Sequence, residues 1–237
     1  IEGCSAPRYE TTALHAGCVE LYVMQGAKIK YSSIENWSKN VFNLNTKRAN
    51  VYRDGVIEWL NGNMGSQTTM LYPASVLIGE NSRSESLGIA FAGSGQNQDT
   101  GTKVIHLGKN TSSIIKSKSI SSGGGICSYR GLVKVHTLAE NAKSHVECDS
   151  LILDEKSCAN AYPSMDIKRT DSIISHEAKI GKISEEEIFY LTSRGISEEK
   201  AKQIIVGGFV NPIIKRLPLE YAVELNKLID LNLEKNL

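Results

Sequence analysis

The feature that most constrains the fold is a long series of short strand-like runs between residues 18 and 175. Runs such as VELYVM, GVIEWL, LGIAFAG and GLVKVHTL are rich in Val, Ile, Leu and Tyr, and several alternate apolar with polar residues, as half-buried strands do. Neighbouring runs recur at roughly 10 to 16 residues, and no helical period interrupts them for about 150 residues. The sequence therefore predicts a mainly β body.

Two β architectures fit this pattern, a sandwich joined by hairpins and a parallel β-helix whose coils stack on one another. The hairpin signal Asn-Gly occurs once, at Asn61–Gly62. The glycine-rich segments GSGQNQDTG and SSGGGICSYRG suit tight corners, and neither has the spacing of a phosphate-binding loop. The pattern favours the β-helix, whose end coils would need capping because they leave open sheet edges.

The chain changes character at about residue 182, where helical signals replace strand signals. Ser184 is followed by Glu187 in a capping box, and Gly195 marks the end of that first helix. Ser197 is expected to cap a second helix, and a third opens around Pro218.

We therefore predict a β-helix core over residues 1–181 and a C-terminal helical region over residues 182–237. The third helix carries an apolar stripe that we expect to pack mainly against the protein itself. The stripe consists of Leu219, Ala222, Val223, Leu225, Leu228, Ile229 and Leu233.

Composition excludes several classes of function. The formal net charge of the 237 residues is +1, which gives no general attraction to nucleic acid or to an anionic membrane. No apolar run approaches the roughly 18 residues of a membrane span, and no signal peptide is recognisable. The chain opens on Ile1 rather than Met, so we expect a piece of a longer protein.

The five cysteines are too few, and odd in number, for a disulfide scaffold, and they lack the close spacing of a zinc ribbon. We expect most of these thiols, Cys158 among them, to be buried in a reducing compartment. Cys148 differs because His176 and Glu177 follow it about 30 residues later, a separation that stacked coils bring back to one lateral position about two coils on. A thiolate, an imidazole and a carboxylate would then converge on one wall and suit iron, zinc or persulfide chemistry.

Several blocks of the sequence are familiar, namely DTGTKVIHLGKNTSSIIKSKSIS, SYRGLVKV, CDSLILDE, ANAYPSMDIK, HEAKIGKISEEEIFYLTSRGISEEKA and the opening EGCSAPRYETTALHAGCVEL. Together they resemble the SufB/SufD family of the SUF iron–sulfur cluster assembly system, over essentially the whole chain. The resemblance implies a right-handed parallel β-helix followed by C-terminal helices. The presence of Cys148 and Glu177 favours the SufB branch over the SufD branch.

The resemblance implies a scaffold rather than an enzyme, on which iron and persulfide sulfur become a transient iron–sulfur cluster. Reduced flavin is a further cofactor expected of the complex. The implied partners are the SufC ATPase, docked by the C-terminal helices, SufD or a second SufB paired through the β-helix, and a sulfur donor protein. Neither nucleic acid nor a membrane is an expected partner, and no Walker motif for ATP hydrolysis occurs in the chain. A bacterial or archaeal cytoplasm and a plastid-type organelle are the expected locations.

The resemblance also assigns cluster assembly to particular residues. The CDS match carries the family's cluster-site cysteine onto Cys148, and the HEA match carries the neighbouring metal-ligand candidates onto His176 and Glu177.

Sulfur acceptance and transfer are assigned in the same way. The EGC match places a sulfur-accepting cysteine at Cys4, and the NW and TKR matches make Trp37 and Lys47 candidates for lining the route that sulfur takes through the β-helix. Glu35 stands where the family is expected to have glutamine.

Two rival readings differ in class from a scaffold. A carbohydrate-active β-helix enzyme would need carboxylates clustered on one exposed face, whereas the acidic residues of the β body are mostly scattered singly. A SufD-like or purely structural β-helix subunit would have a partner-binding tail and no cluster site of its own.

Overall fold

The computed structural model describes residues 1–5 and 10–236, and it confirms the parallel β-helix followed by helices. The strands are β1 (Glu2–Ser5), β2 (Ala13–Val23), β3 (Lys28–Trp37), β4 (Val41–Val51), β5 (Val56–Gly65), β6 (Thr68–Leu71), β7 (Ala74–Leu77), β8 (Arg83–Ala92), β9 (Asn97–His106), β10 (Ser112–Ser121), β11 (Ile126–Val135), β12 (Lys143–Ile152), β13 (Cys158–Ile167) and β14 (Ile173–Lys182). The helices are α1 (Glu185–Thr192), α2 (Glu198–Ile214) and α3 (Leu219–Asn236).

The strands form two facing sheets in about six turns. One sheet, here called sheet A, has the order β1-β3-β5-β8-β10-β12-β14, and sheet B has the order β13-β11-β9-β6-β4-β2, with β7 pairing β4 and β9. Every recorded strand pairing is parallel, so the hairpin sandwich is wrong. The Asn61–Gly62 pair lies inside β5 instead of in a turn.

One corner of the coil is built from residues in the left-handed region that recur once per turn. Asp54, Asn81, Asn110 and Asn141 have φ between 55° and 58°. Asp and Asn tolerate this conformation better than other non-glycine residues. Their side chains also stack, since the Asn81 amide donates to Asp54 at 3.0 Å and the Asn141 amide donates to Asn110 at 3.1 Å. The ladder fixes the register of successive coils.

The helices cover the outer face of sheet A. Ser184 and Ser197 accept hydrogen bonds from the backbone amides of Glu187 and Lys200, as the capping prediction requires. Strand β14 runs to Lys182, one residue beyond the expected boundary, and α1 starts at Glu185.

The apolar stripe of α3 is divided between the core and the surface. Leu225, Ile229 and Leu233 are buried in the cluster that joins the helices to sheet A, whereas Leu219 and Val223 are exposed. Ala222 and Leu228 pack against the same cluster, so self-packing is confirmed for the stripe except at Leu219 and Val223, near its N-terminal end.

The prediction that most thiols are buried is wrong. Cys127 and Cys148 are buried, Cys4 is half-buried, and Cys18 and Cys158 are exposed. Cys18 points outward from β2, and Cys158 points outward from the start of β13, where its register partner Ile126 of β11 is exposed as well. Among the described helices, none has the length and apolar character that crossing a bilayer requires.

Candidate functional site

Side chains of sheet A line the interior of the β-helix in columns, because alternate residues of each strand point inward and the parallel register keeps equivalent positions in line. One column contains, in order, Glu2, Ser33, Asn61, Gly88, Ser117 and Cys148. The column beside it begins with Cys4, Glu35 and Asn63. The two thiols thus lie near opposite ends of the interior, whose side chains are mostly polar along these columns and apolar beside them.

Cys4 lies in a charged group at the first coil. Its thiol is 3.6 Å from Glu2 Oε1, and Glu2 in turn accepts hydrogen bonds from the Tyr31 hydroxyl and, at 3.3 Å, from Lys47 Nζ. Although burial opposes the effect, these two donors hold the pKa of the Glu2 carboxyl below its ordinary value. Burial raises the pKa of Cys4 to about 11, with the charges of Glu2 and Glu35 adding to the rise.

Lys47 and Glu35 form a buried ion pair in the same group. Lys47 Nζ lies 2.8 Å from Glu35 Oε1, and both side chains are almost completely buried. The second carboxylate oxygen of Glu35 accepts from the amides of Asn43 at 2.6 Å and Asn45 at 3.2 Å. A buried carboxylate is tolerated here because a cation and two amides satisfy its lone pairs.

Trp37 points inward beside this group. Its ring stacks on His15 with centroids 4.2 Å apart, and His15 Nδ1 lies 2.8 Å from Asn43 Oδ1. Trp37 and Lys47 both line the interior near Cys4, as a residue on the predicted route would.

Cys148 meets His176 at the other end of the interior. Cys148 Sγ is 3.9 Å from His176 Nε2, and both side chains project inward from adjacent strands β12 and β14. They are one coil apart rather than two, because a full coil takes a strand from each sheet and therefore about 30 residues. The pair can share a proton or bind a soft metal ion.

Glu177 does not join this pair. It lies next to His176 in β14, so alternation places it on the outer face of the sheet. Its carboxylate is exposed and paired with Lys179 Nζ at 2.7 Å, which holds the pKa of Glu177 below its ordinary value. The predicted convergence of all three side chains on one wall is therefore wrong in this chain, although Cys148 and His176 do converge.

The Cys148 thiol is held protonated at rest. Burial raises its pKa to about 12, the charges of Asp149 and Glu147 add to the rise, and the Tyr129 hydroxyl opposes it. None of the described residues places a cationic group where it offsets burial at this thiol. Among the described residues, no three His, Cys, Asp or Glu side chains are grouped to hold a metal ion together.

A small cavity lies between the two thiols. It has room of about 20 Å³, enough for about one water molecule, and Asn61, Gly88 and Ser117 of the Cys148 column line it. Five strand spacings separate β1 from β12, so the two thiols are about 24 Å apart along the stack. The interior therefore offers polar contacts along this distance, with an open point at Gly88.

Sequence reasoning missed several polar residues of the interior. The segment NLNTK of β4 places Asn43, Asn45 and Lys47 at alternate positions, and the EGC segment does the same for Glu2 and Cys4. A polar residue at every second position of a strand with a buried inner face was a usable signal. Tyr129 carried no such signal, because an isolated tyrosine in an apolar strand is ordinary packing.

One known protein family matches most of this chain. The family described as "SUF system FeS cluster assembly, SufBD core domain" matches residues 1–209. The chain belongs to this SufBD family.

Named relatives carry the same family description. The iron-sulfur cluster assembly SufBD family protein of Staphylococcus aureus (strain MRSA252) is 51% identical over 234 residues, which are 99% of this chain and 50% of that protein. The corresponding protein of Mycobacterium leprae (strain TN) is 50% identical over 234 residues, which are 99% of this chain and 27% of that protein. The chain thus spans about half the length of the staphylococcal relative and about a quarter of the mycobacterial one.

Proposed function

We propose that this chain is a SufB-type scaffold on which sulfane sulfur and iron are assembled into an iron–sulfur cluster. Family membership supports a role in cluster assembly. The single observation that carries the finer proposal is the column of mostly polar inward-facing residues that runs from the coil of Cys4 to the Cys148–His176 pair.

Sulfur enters at Cys4 in this proposal. The Cys4 thiol attacks the outer sulfur of a donor persulfide. A new S–S bond forms on Cys4, the donor S–S bond breaks, and the donor leaves as a thiol that carries the proton of Cys4. The high pKa of Cys4 keeps its thiol protonated until the donor arrives, and Glu2 Oε1 accepts a hydrogen bond from it.

Iron and sulfur are cargo at Cys148. The thiolate holds them with His176, and the small number of protein ligands suits a cluster that must leave again. Glu177 acts from the outer face, at the rim shared with a partner chain. Sulfane sulfur must gain electrons to become sulfide, and reduced flavin in the complex supplies them; we assign it no residues in this chain.

Transfer of the cluster to an acceptor tests the scaffold role. The chain is reconstituted anaerobically with iron and sulfide and desalted to remove the unbound excess of both. It is then mixed with an apo-ferredoxin. We expect the ferredoxin to gain its cluster spectrum. A purely structural or SufD-like β-helix, the second candidate function, would leave the ferredoxin colourless.

Gly88→Leu is expected to block the interior route. A Cβ at position 88 meets only the Ser117 hydroxyl, at 3.9 Å, so alanine fits, whereas a leucine side chain fills the cavity. After loading from a protein persulfide donor, Cys4 should still gain sulfur and Cys148 should gain none, as measured by peptide mass spectrometry. Gly88→Ala is the matched control and should load both. Normal loading of Cys148 in the leucine variant would contradict the route.

A second β-helix chain is proposed to dock at the last coil. Strands β13 and β14 are the edge strands of the two sheets at the C-terminal end of the β-helix. An uncovered edge strand is a template for pairing with another chain. This coil exposes large apolar side chains, namely Tyr162, Met165, Ile167, Ile173 and Ile180. Such a concentration is typical of a protein interface.

Met165→Lys is expected to weaken association with the second β-helix chain, because a charge would enter the apolar part of the interface. Met165 is 41% exposed, and Met70, on a strand distant from this edge, is 44% exposed. Met70→Lys is therefore the matched control. Light scattering of the chain with a SufD-type partner should show loss of the complex for Met165→Lys only; equal behaviour of both variants would argue against this edge.

The SufC ATPase is proposed to dock on the groove between α1 and α2. Glu186, Tyr190, Leu191, Ile204 and Ile205 are among its lining residues, and Phe189 is exposed nearby on α1. Exposed aromatic residues beside an apolar groove are common anchors of protein interfaces.

Phe189→Asp should weaken SufC binding about 30-fold, corresponding to about 2 kcal/mol for an aromatic anchor. Phe189 is 73% exposed, so its replacement leaves the fold intact. Leu219→Asp, at a residue 75% exposed on α3, is the control and should bind normally. Calorimetric titration with the ATPase subunit measures both affinities, and an unchanged affinity for Phe189→Asp would exclude this groove.

The scaffold carries out no ATP hydrolysis itself in this proposal. We propose that it works in a bacterial or archaeal cytoplasm or a plastid-type organelle.

A further inference from the structure

The Tyr129 hydroxyl is a buried polar group without a hydrogen-bond partner among the described residues. Tyr129 is only 5% exposed and projects from β11 of sheet B into the interior. An unpartnered buried hydroxyl is destabilising, and phenylalanine would fill the same volume without it. The hydroxyl therefore points to a guest that is absent from the resting protein.

The position of the Tyr129 ring is set by its neighbour. Gly131 lies under the ring, and a Cβ at position 131 would be 2.8 Å from both Cε1 and the hydroxyl oxygen of Tyr129. Contacts that short are not tolerated, so glycine at this position lets the ring lie along its own strand with the hydroxyl over Gly131.

The hydroxyl faces the Cys148 thiol across the two sheets. Tyr129 and Cys148 belong to the same interior cluster, and each affects the other's pKa, although their geometry does not meet that of a hydrogen bond. Tyr129 also lines two separate cavities, the one beside Gly88 and a smaller one that includes His176. It therefore stands where sulfur leaving the interior would reach Cys148.

We propose that Tyr129 is a positioning residue whose hydroxyl donates a hydrogen bond to the terminal sulfur of a persulfide on Cys148. This inference rests on the proposed function of Cys148. A persulfide extends the Cys148 side chain by one sulfur atom, and its terminal sulfur carries the negative charge. Donation to a charged acceptor is stronger than to a neutral one, and the phenol gains the partner that it lacks at rest.

Inorganic polysulfide provides the probe. The Cys148 thiol attacks one end of the polysulfide chain, an S–S bond forms on Cys148, the neighbouring S–S bond of the polysulfide breaks, and a polysulfide shorter by one sulfur leaves with the proton of the thiol. Excess polysulfide is removed anaerobically, and the Cys148 peptide is followed by mass spectrometry as the added sulfur is lost.

Tyr129→Phe is the decisive variant because it keeps the ring and removes only the hydroxyl. We expect its Cys148 persulfide to decay about tenfold faster than that of the wild-type chain, although the melting temperature of the variant is equal or higher because the buried hydroxyl is gone. Tyr22→Phe, at an exposed tyrosine of β2, is the matched control and should decay at the wild-type rate.

The outcomes separate the two levels of the proposal. Equal decay rates in Tyr129→Phe and the wild-type chain overturn the role of Tyr129 and leave Cys148 as a sulfur site. Absence of added sulfur on Cys148 in the wild-type chain overturns both.

Discussion

Cys148→Ala is expected to abolish formation of the iron–sulfur cluster on a chain that remains folded. The thiol is the sulfur ligand of the only pair that the structure brings together at this end of the described interior, at 3.9 Å from His176. Alanine removes the soft ligand, and imidazole alone does not hold iron and sulfide together. The substitution removes one buried sulfur atom from the hydrophobic core around Val146, which lowers the free energy of unfolding by about 1–2 kcal/mol. The β-helix therefore persists.

The matched control is Cys158→Ala. Cys158 lies in the next strand along the chain, but its thiol is exposed and directed at Asn160. Iron and acid-labile sulfide are measured after anaerobic reconstitution, together with the circular dichroism of each variant. Wild-type content in Cys158→Ala and none in Cys148→Ala is the expected result. An unchanged content in a folded Cys148→Ala chain would remove Cys148 from the site.

Lys47→Met should destabilise the chain by about 3 kcal/mol, because it leaves the Glu35 carboxylate buried without its cation. Glu35 is 1% exposed, and its other partners are neutral amides. The loss is measured as the free energy of unfolding in urea at neutral pH. Adding Glu35→Gln should recover part of it, since an uncharged amide no longer needs the ammonium group.

Arg48→Met is the control for Lys47→Met. Arg48 is the next residue in β4, points outward, and pairs with Glu20 in a contact about half exposed to solvent. Exposed pairs of this kind contribute about 0–1 kcal/mol. If the free energy of unfolding fell equally in the two variants, the buried Lys47–Glu35 pair would contribute no more to stability than the exposed Arg48–Glu20 pair.

Acid should weaken the same end of the β-helix. The pKa of Glu2 is held below its unfolded value, so its contribution to stability is present above the unfolded pKa and is lost as pH falls through the folded pKa. In Lys47→Met this acid dependence becomes smaller, because one of the two donors to Glu2 is absent.

The β-helix was predictable because its signal is repeated along most of the chain. Alternating runs and glycine-rich corners recur, and no local choice conflicts with the coil. The length of one coil was not predictable from strand spacing, since the sequence does not say how many strands make a turn. Because of that ambiguity, we predicted His176 about two coils from Cys148, whereas the structure places it one coil away.

The site was predictable in part. Position in a strand decides which face a side chain takes, and a one-residue difference is enough to separate His176 from Glu177. The sequence held that information, but applying it required the register of β14 against β12. Cys158 was misjudged for the same reason, because its place in β13 directs it outward, as the exposed Ile126 is directed at the paired position of β11.

The visible absorption spectrum of the wild-type chain after anaerobic reconstitution with iron and sulfide shows whether this β-helix holds a cluster by itself. A cluster held by Cys148 and His176 absorbs through sulfur-to-iron charge transfer, so we expect a brown protein with iron and sulfide in comparable amounts after desalting. A colourless, normally folded chain would contradict the claim that this β-helix is itself the scaffold.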